Sequence, residues 1–166
     1  MFRSRSRVIA IDPTSEGFAF AVLEGPERLI DWGTTKVPKL KRSEYLKRLD
    51  ALFERYQPKG LIVESPRGKD SRRSPRVAGV IRSLELLAWQ YHVKVSRVSR
   101  GQVRAAFGPA WRKHEIAKAI SRWFPVLEDS VPPARKPWQA EAKCMNVFDA
   151  ISFALTAFGA VQGEVR

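Results

Sequence analysis

Three short apolar runs occupy the first 35 residues with only turns between them, and no other feature limits the possible folds as strongly. Arg7–Asp12 (RVIAID) is bounded by Pro13, Gly17–Leu23 (GFAFAVL) follows a PTSE turn, and Arg28–Thr35 (RLIDWGTT) follows EGPE. Runs of this length separated by Pro, Gly, Ser and Glu predict a three-strand antiparallel meander. From Lys39 to Tyr56 the period changes, with Leu40, Tyr45, Leu46, Leu49, Leu52, Phe53 and Tyr56 recurring at helical spacing. Gly60–Glu64 (GLIVE) predicts a buried strand, Arg76–Tyr91 a helix and Val93–Val98 another strand. Ser99 is placed to cap a short helix through Phe107, Trp111–Trp123 predicts a further helix stopped by Pro125, and the last helix is expected over about Gln139–Ala160. Two loops stand out, a basic one over about 65–76 and a proline-rich one over about 126–138. A meander followed by alternating strands and helices predicts an α/β fold: a mixed sheet with helices on its faces, in one domain over 1–166.

Charge narrows the partners. The chain carries a formal net charge of +13, and from Ser65 to Lys118 there are 13 Lys and Arg against three acids. A positive field this concentrated, richer in Arg than Lys, points to a polyanion, with nucleic acid as the expected partner. A solvated basic face without a ligand is the plainer reading. Ile151–Val161, the most apolar stretch, is too short and too interrupted by Ser152, Thr156 and Gly159 to span roughly 30 Å of bilayer, so no membrane partner is expected. The single cysteine, Cys144, excludes an intrachain disulfide and a multi-cysteine zinc site. With no apolar signal region after MFRSRSR, a cytoplasmic location is expected.

Two acids end core-type strands: Asp12 follows VIAI and Glu64 follows LIV. A carboxylate there costs several kcal/mol unless a cation or hydrogen bonds compensate it, so two such placements suggest a shared cation. Asp149 is a third candidate, set among Phe148, Ile151, Ala154 and Leu155 at helical spacing, with Asn146 one turn earlier on the same face. Oxygen ligands of this kind suit a hard divalent cation such as Mg²⁺ rather than zinc. Each acid also has a structural reading: Asp12 as a turn or cap before Pro13, Glu64 as a partner of Arg67, and Asp149 as a member of an ion pair.

These residues carry a resemblance. IDPTSEGFAFAVLEG, with an acid ending the first strand and Gly17 opening the second, resembles the first motif of the RuvC-like branch of the RNase H-like nucleases. LIVESP is similar to its second motif and NVFDAISFALTA to its last, and SRGQVRAAF resembles a stretch found between them, all in the same order. The resemblance implies an RNase H-like (RuvC-like) mixed five-stranded sheet, three strands of it antiparallel, with flanking helices. It also implies a metal-dependent endonuclease acting on DNA, with four-way Holliday junctions the best-known substrate of the branch. By position, Asp12, Glu64 and Asp149 would be its metal-binding catalytic acids, and Asn146 would stand where the family has an additional acid. Asn146 brings a carbonyl oxygen without charge. The resolvases' aromatic after the second-motif glutamate is missing from SPRGKDSRRSPR.

The mechanism expected from the resemblance uses two Mg²⁺ ions, with Mn²⁺ a possible substitute, in an in-line displacement at phosphorus. Arg67, Lys69, Arg72, Arg73, Arg76, Arg100, Arg104, Arg112 and Lys113 are the expected DNA contacts, and His114 a possible phosphate contact beside its plainer reading as a surface residue. Trp111 and Trp138 adjoin basic residues and suit base stacking, but core packing is the expected role of these two and of Trp89 and Trp123. Branched DNA and a second copy of the chain are the expected partners, because a junction is itself two-fold symmetric. Other readings are a non-catalytic nucleic-acid-binding protein of the same fold and a nuclease acting on flap, mismatch or transposon-end DNA. An ATPase related to sugar kinases shares the strand topology but needs a second lobe, for which 166 residues leave no room.

Overall fold

A computed structural model of the chain describes residues 2, 3, 5–37, 39, 41–65 and 74–160. Strands β1 (Arg7–Pro13), β2 (Gly17–Glu24) and β3 (Leu29–Lys36) form the expected meander, and β4 (Gly60–Glu64) and β5 (Lys94–Val98) extend it, giving one sheet in the order β3-β2-β1-β4-β5. β1 pairs antiparallel with β2 and parallel with β4, and β4 pairs parallel with β5. The two parallel pairings require crossovers, supplied by helices α1 (Arg42–Tyr56) and α2 (Pro75–Gln90). Gly17 opens β2 at φ 157°, and a Cβ there would stand 1.9 Å from the Thr35 carbonyl oxygen, so only glycine lets β2 and β3 close up at this point.

Strand alternation sorts the apolar side chains onto two faces. Ile9, Ile11, Leu61 and Val63 face α1 and α2, packing with Tyr45, Leu49, Phe53, Ile81 and Leu84. Val8, Ala10 and Ile62 face the other way, onto helices α3 (Arg100–Phe107), α4 (Lys113–Trp123) and α5 (Met145–Phe158). With period two, Asp12 follows Ala10 and Glu64 follows Ile62 onto this second face. The β1–β4 register, Ala10 beside Ile62 and Ile11 beside Val63, continues to set the two acids side by side.

The last helix begins at Met145, not near Gln139 as expected. Residues 138–144 are exposed throughout, so QAEAKC has helix-forming residues but no apolar face to bury. The proline-rich stretch starts with a 3₁₀ turn, Pro125–Ser130, anchored by buried Leu127. Two tryptophans depart from core packing. Trp89 is 75% exposed because it lies beside, not on, the α2 stripe of Val77, Val80, Ile81, Leu84 and Ala88, and Trp138 is 77% exposed with the Lys136 ammonium over its ring. Trp111 and Trp123 pack partly buried against the core. No described helix is long and apolar enough to cross a membrane.

Candidate active site

Three carboxylates from three elements meet at the C-terminal end of β1 and β4. Asp12, Glu64 and Asp149 are 1%, 2% and 6% exposed, and α5 lies across β1 and β2 so that Asp149 faces the two strand-end acids. The placement follows from the sequence. The apolar residues around Asp149 (Val147, Phe148, Ala150, Ile151) are all buried, which fixes the rotation of α5 and takes Asp149 inward with them.

Between the acids stands Arg100. Its Nε donates to Glu64 Oε1 at 3.0 Å, its Nη1 lies 3.0 Å from Asp149 Oδ1, and its Nη2 lies 4.0 Å from Asp12 Oδ1. The guanidinium also sits over the Phe153 ring, 5.4 Å from its centroid. Its backbone is rooted firmly. Ser99 caps α3 by accepting from the Gln102 amide at 3.1 Å, and the Gln102 side chain accepts from the Ser99 amide at 2.8 Å. This capping box fixes the first residue of the helix, Arg100, directly after β5. Burial works against the Arg100 charge, but Asp149, Glu64 and Asp12 outweigh it and hold the guanidinium above its ordinary pKa.

A second cation flanks the cluster. Lys113 Nζ, from the first turn of α4, bonds Asp149 Oδ2 at 2.8 Å and Glu141 Oε1 at 2.7 Å. Beside it opens a cavity of about 820 Å³ whose lining includes Arg112, His114, Arg135 and Met145. His114 is half-buried there rather than at the surface. Asn146 lines a separate groove of about 230 Å³ with Thr14, Ser15, Glu16 and Lys143.

The expected DNA contacts fall into three groups. Arg67, Lys69, Arg72 and Arg73 lie outside the described residues. Arg76, Arg104 and Arg112 are exposed, with Arg76 donating to the Lys39 carbonyl. Arg100 and Lys113 turn inward and pair with the acids. Sequence reasoning missed Glu141, whose only signal was an acid shortly before the last helix, and the inward turn of Arg100.

The donor set, carboxylate oxygens from three rigid elements, fits a hard divalent cation. As the side chains stand, no three His, Cys, Asp or Glu among the described residues are grouped to hold an ion. The guanidinium lies where the carboxylates converge.

No family model matches the sequence, and no curated protein does. Solved structures do match. Thermus thermophilus RuvC in complex with a Holliday junction substrate is 22% identical, with a TM-score of 0.66 over 97% of this chain and 98% of that one. The yeast mitochondrial Holliday junction resolvase Ydc2 is 14% identical, with a TM-score of 0.60 over 97% of this chain and 80% of that one. Fowlpox virus resolvase, solved with Holliday junction DNA, is 14% identical, with a TM-score of 0.58 over 94% of this chain and 99% of that one. The chain therefore has the RuvC-like resolvase fold of the RNase H-like class, with an open five-stranded mixed sheet.

Proposed function

We propose that this chain is a divalent-metal-dependent, structure-specific DNA endonuclease whose substrate is a Holliday junction. One observation carries the reading: three buried carboxylates converge at the strand ends of a fold shared with three Holliday junction resolvases. Burying three acids together is costly, and a fold gains nothing from it unless cations are to be bound there. Asp12, Glu64 and Asp149 would hold Mg²⁺, or Mn²⁺ in its place, with Asn146 offering an uncharged oxygen from one turn away. Bound there, two such ions supply an activated water and stabilise the leaving oxygen of a phosphodiester.

The chain's own residues do the rest. Lys113 and His114, at the start of α4, bring positive charge and a hydrogen-bond donor to the rim of the acid cluster, where a scissile phosphate must approach. Arg76, Arg104 and Arg112 present exposed cations to the phosphate backbone, and Arg67, Lys69, Arg72 and Arg73, which follow β4 in the sequence, would add to them. With Arg76, these four give about five phosphate contacts and a slope near −4.5 in log affinity against log salt, and replacing Arg72 and Arg73 together should flatten it by nearly two units. Paired cuts across a two-fold junction call for two copies acting together. Leu86 and Trp89, exposed three residues apart on α2, are where an Asp substitution should break such a dimer.

The test is cleavage of a synthetic four-way junction in Mg²⁺ beside duplex, flap and single-stranded controls, with Asp12→Asn in parallel. Paired symmetric nicks, abolished in a variant that still binds, are the expected result. Cutting of the other structures alone would move the substrate to flap, mismatch or transposon-end DNA. Tight binding without cleavage in Mg²⁺ or Mn²⁺ would make the chain a binding protein, in keeping with the neutral Asn146.

A further inference from the structure

We propose that Arg100 is a built-in latch that competes with divalent cations for Asp12, Glu64 and Asp149, and so sets the metal concentration at which the acid cluster loads. This inference rests on the metal-dependent reading above and concerns how that same site is governed.

The guanidinium offers a different nitrogen to each carboxylate, at 3.0, 3.0 and 4.0 Å. The same acids are the ones a divalent cation would need. Among the described residues no three of these side-chain types are grouped to take an ion as they stand. The planar guanidinium stands between the carboxylates at 3.0, 3.0 and 4.0 Å, where Mg²⁺ would need their oxygens at roughly 2.1 Å. Metal entry therefore requires Arg100 to leave and the acids to close in.

Charge keeps the cluster attractive to a cation. Counting Glu141 with the three acids, the described contacts set four carboxylates against two cations, Arg100 and Lys113, so a divalent cation is drawn to the cluster while the latch is shut. The latch in turn removes most of the repulsion that the metal-free cluster would suffer, and it does so with an anchored group. The capping box fixes its root, and the Phe153 ring supports the guanidinium face at 5.4 Å. An arginine drawn into a cation's place by three acids, a ring and a cap is more than a general basic residue near DNA. Lys113, by contrast, reaches one of the three acids, Asp149, and Arg97 pairs with Glu85.

Two ligands competing for one set of groups are linked, and couplings of this kind typically span 5–150-fold. Mn²⁺ binding to the DNA-free protein, followed by electron paramagnetic resonance and by calorimetry, should therefore tighten by at least about tenfold in Arg100→Gln. Arg100→Lys, which keeps the charge but loses the fork, should fall between the two. Equal Mn²⁺ affinities in the unaltered protein and Arg100→Gln would overturn the latch and leave the nuclease reading standing. No Mn²⁺ binding by either protein would overturn both. Should Arg100→Gln fail to fold without metal, the unaltered protein decides the matter through its Arg100 Nε–H resonance. Saturating Mg²⁺ should shift that signal and speed its exchange with water, and an unchanged signal at saturation would overturn the proposal.

Discussion

Two arginine–carboxylate networks sit at opposite ends of β1, and they are built in opposite senses. At the start of the strand, one acid is shared by two cations: Arg7 donates to Glu24 with Nε at 3.2 Å and with Nη2 at 2.6 Å, and Arg28 reaches the same carboxylate at 2.8 Å. At the end of the strand, Arg100 alone is shared by three acids, with Lys113 beside it on Asp149. The first network is partly exposed and has more positive than negative charge, so it fastens β1 to β2 and asks for nothing more. The second is largely buried, and its described contacts set four acids, Glu141 included, against two cations, Arg100 and Lys113. The sign of the imbalance and its depth, not the presence of ion pairs, separate a fastening from a site.

The contrast is strongest if activity and stability are read together. Asp12→Asn should lower Mg²⁺-dependent cleavage by roughly 10²–10³-fold or more, as loss of a preorganised charged group at a reacting centre does. The same change should leave the metal-free protein as stable or more so, because it removes one of three mutually repelling acids. A thermal melt beside the cleavage assay checks both, and parallel losses in the two would return Asp12 to a structural role.

Arg100→Leu comes next. Taking the cation from a buried network leaves uncompensated carboxylates and should cost about 3 kcal/mol in a chelator, seen in denaturant unfolding. Adding Mg²⁺ should restore part of that loss in the variant and much less in the unaltered protein.

Lys113→Met is expected to act more on turnover than on folding, because Lys113 is about one-third exposed and Asp149 keeps Arg100 as a partner. Cleavage should fall roughly 10–100-fold with junction affinity little changed, a split visible in single-turnover kinetics.

The smallest effect belongs to the other network. The hydrogen bond from Arg7, with support from Arg28, holds the Glu24 carboxyl below its ordinary value of 4.5. A depressed carboxyl contributes stability that is present above its unfolded pKa and lost as pH falls through its folded one. Unfolding midpoints of Glu24→Gln should therefore match those of the unaltered protein most closely at low pH, diverge as pH rises toward 4.5 and keep a constant difference above it. Cleavage should be unaffected throughout.

Much of this could be read from the residues in advance. The meander and both parallel strands were legible because turn residues and apolar runs alternate cleanly, and the acids because a carboxylate at the tip of VIAI or LIV has nowhere to go but the end of a core strand. Ser99 was legible as a cap, and the structure confirms it. What pattern could not supply was direction. In the run of basic residues from Arg67 to Lys118, nothing local distinguishes Arg100 from Arg104, yet one turns into the acids and the other faces outward. That difference is made by the neighbouring strand β4, which is far away in sequence. The start of α5 was misread for a related reason: helix-forming residues at 139–144 satisfy a local preference, and only the absence of a surface to pack on withholds the helix.

The parallel pairing of β1 with β4, closed over by α5, also carries a lesson about when the site comes into being. Its three acids belong to the first strand, the fourth strand and the last helix, so they meet only through contacts of very long sequence separation. Such contacts form late, after the loops between them have closed. A chain still emerging from the ribosome, or one cut short ahead of α5, has the arginines of the basic segment before it has its acid cluster. Under the proposed function, such a chain would hold a polyanion before it had a centre with which to break one.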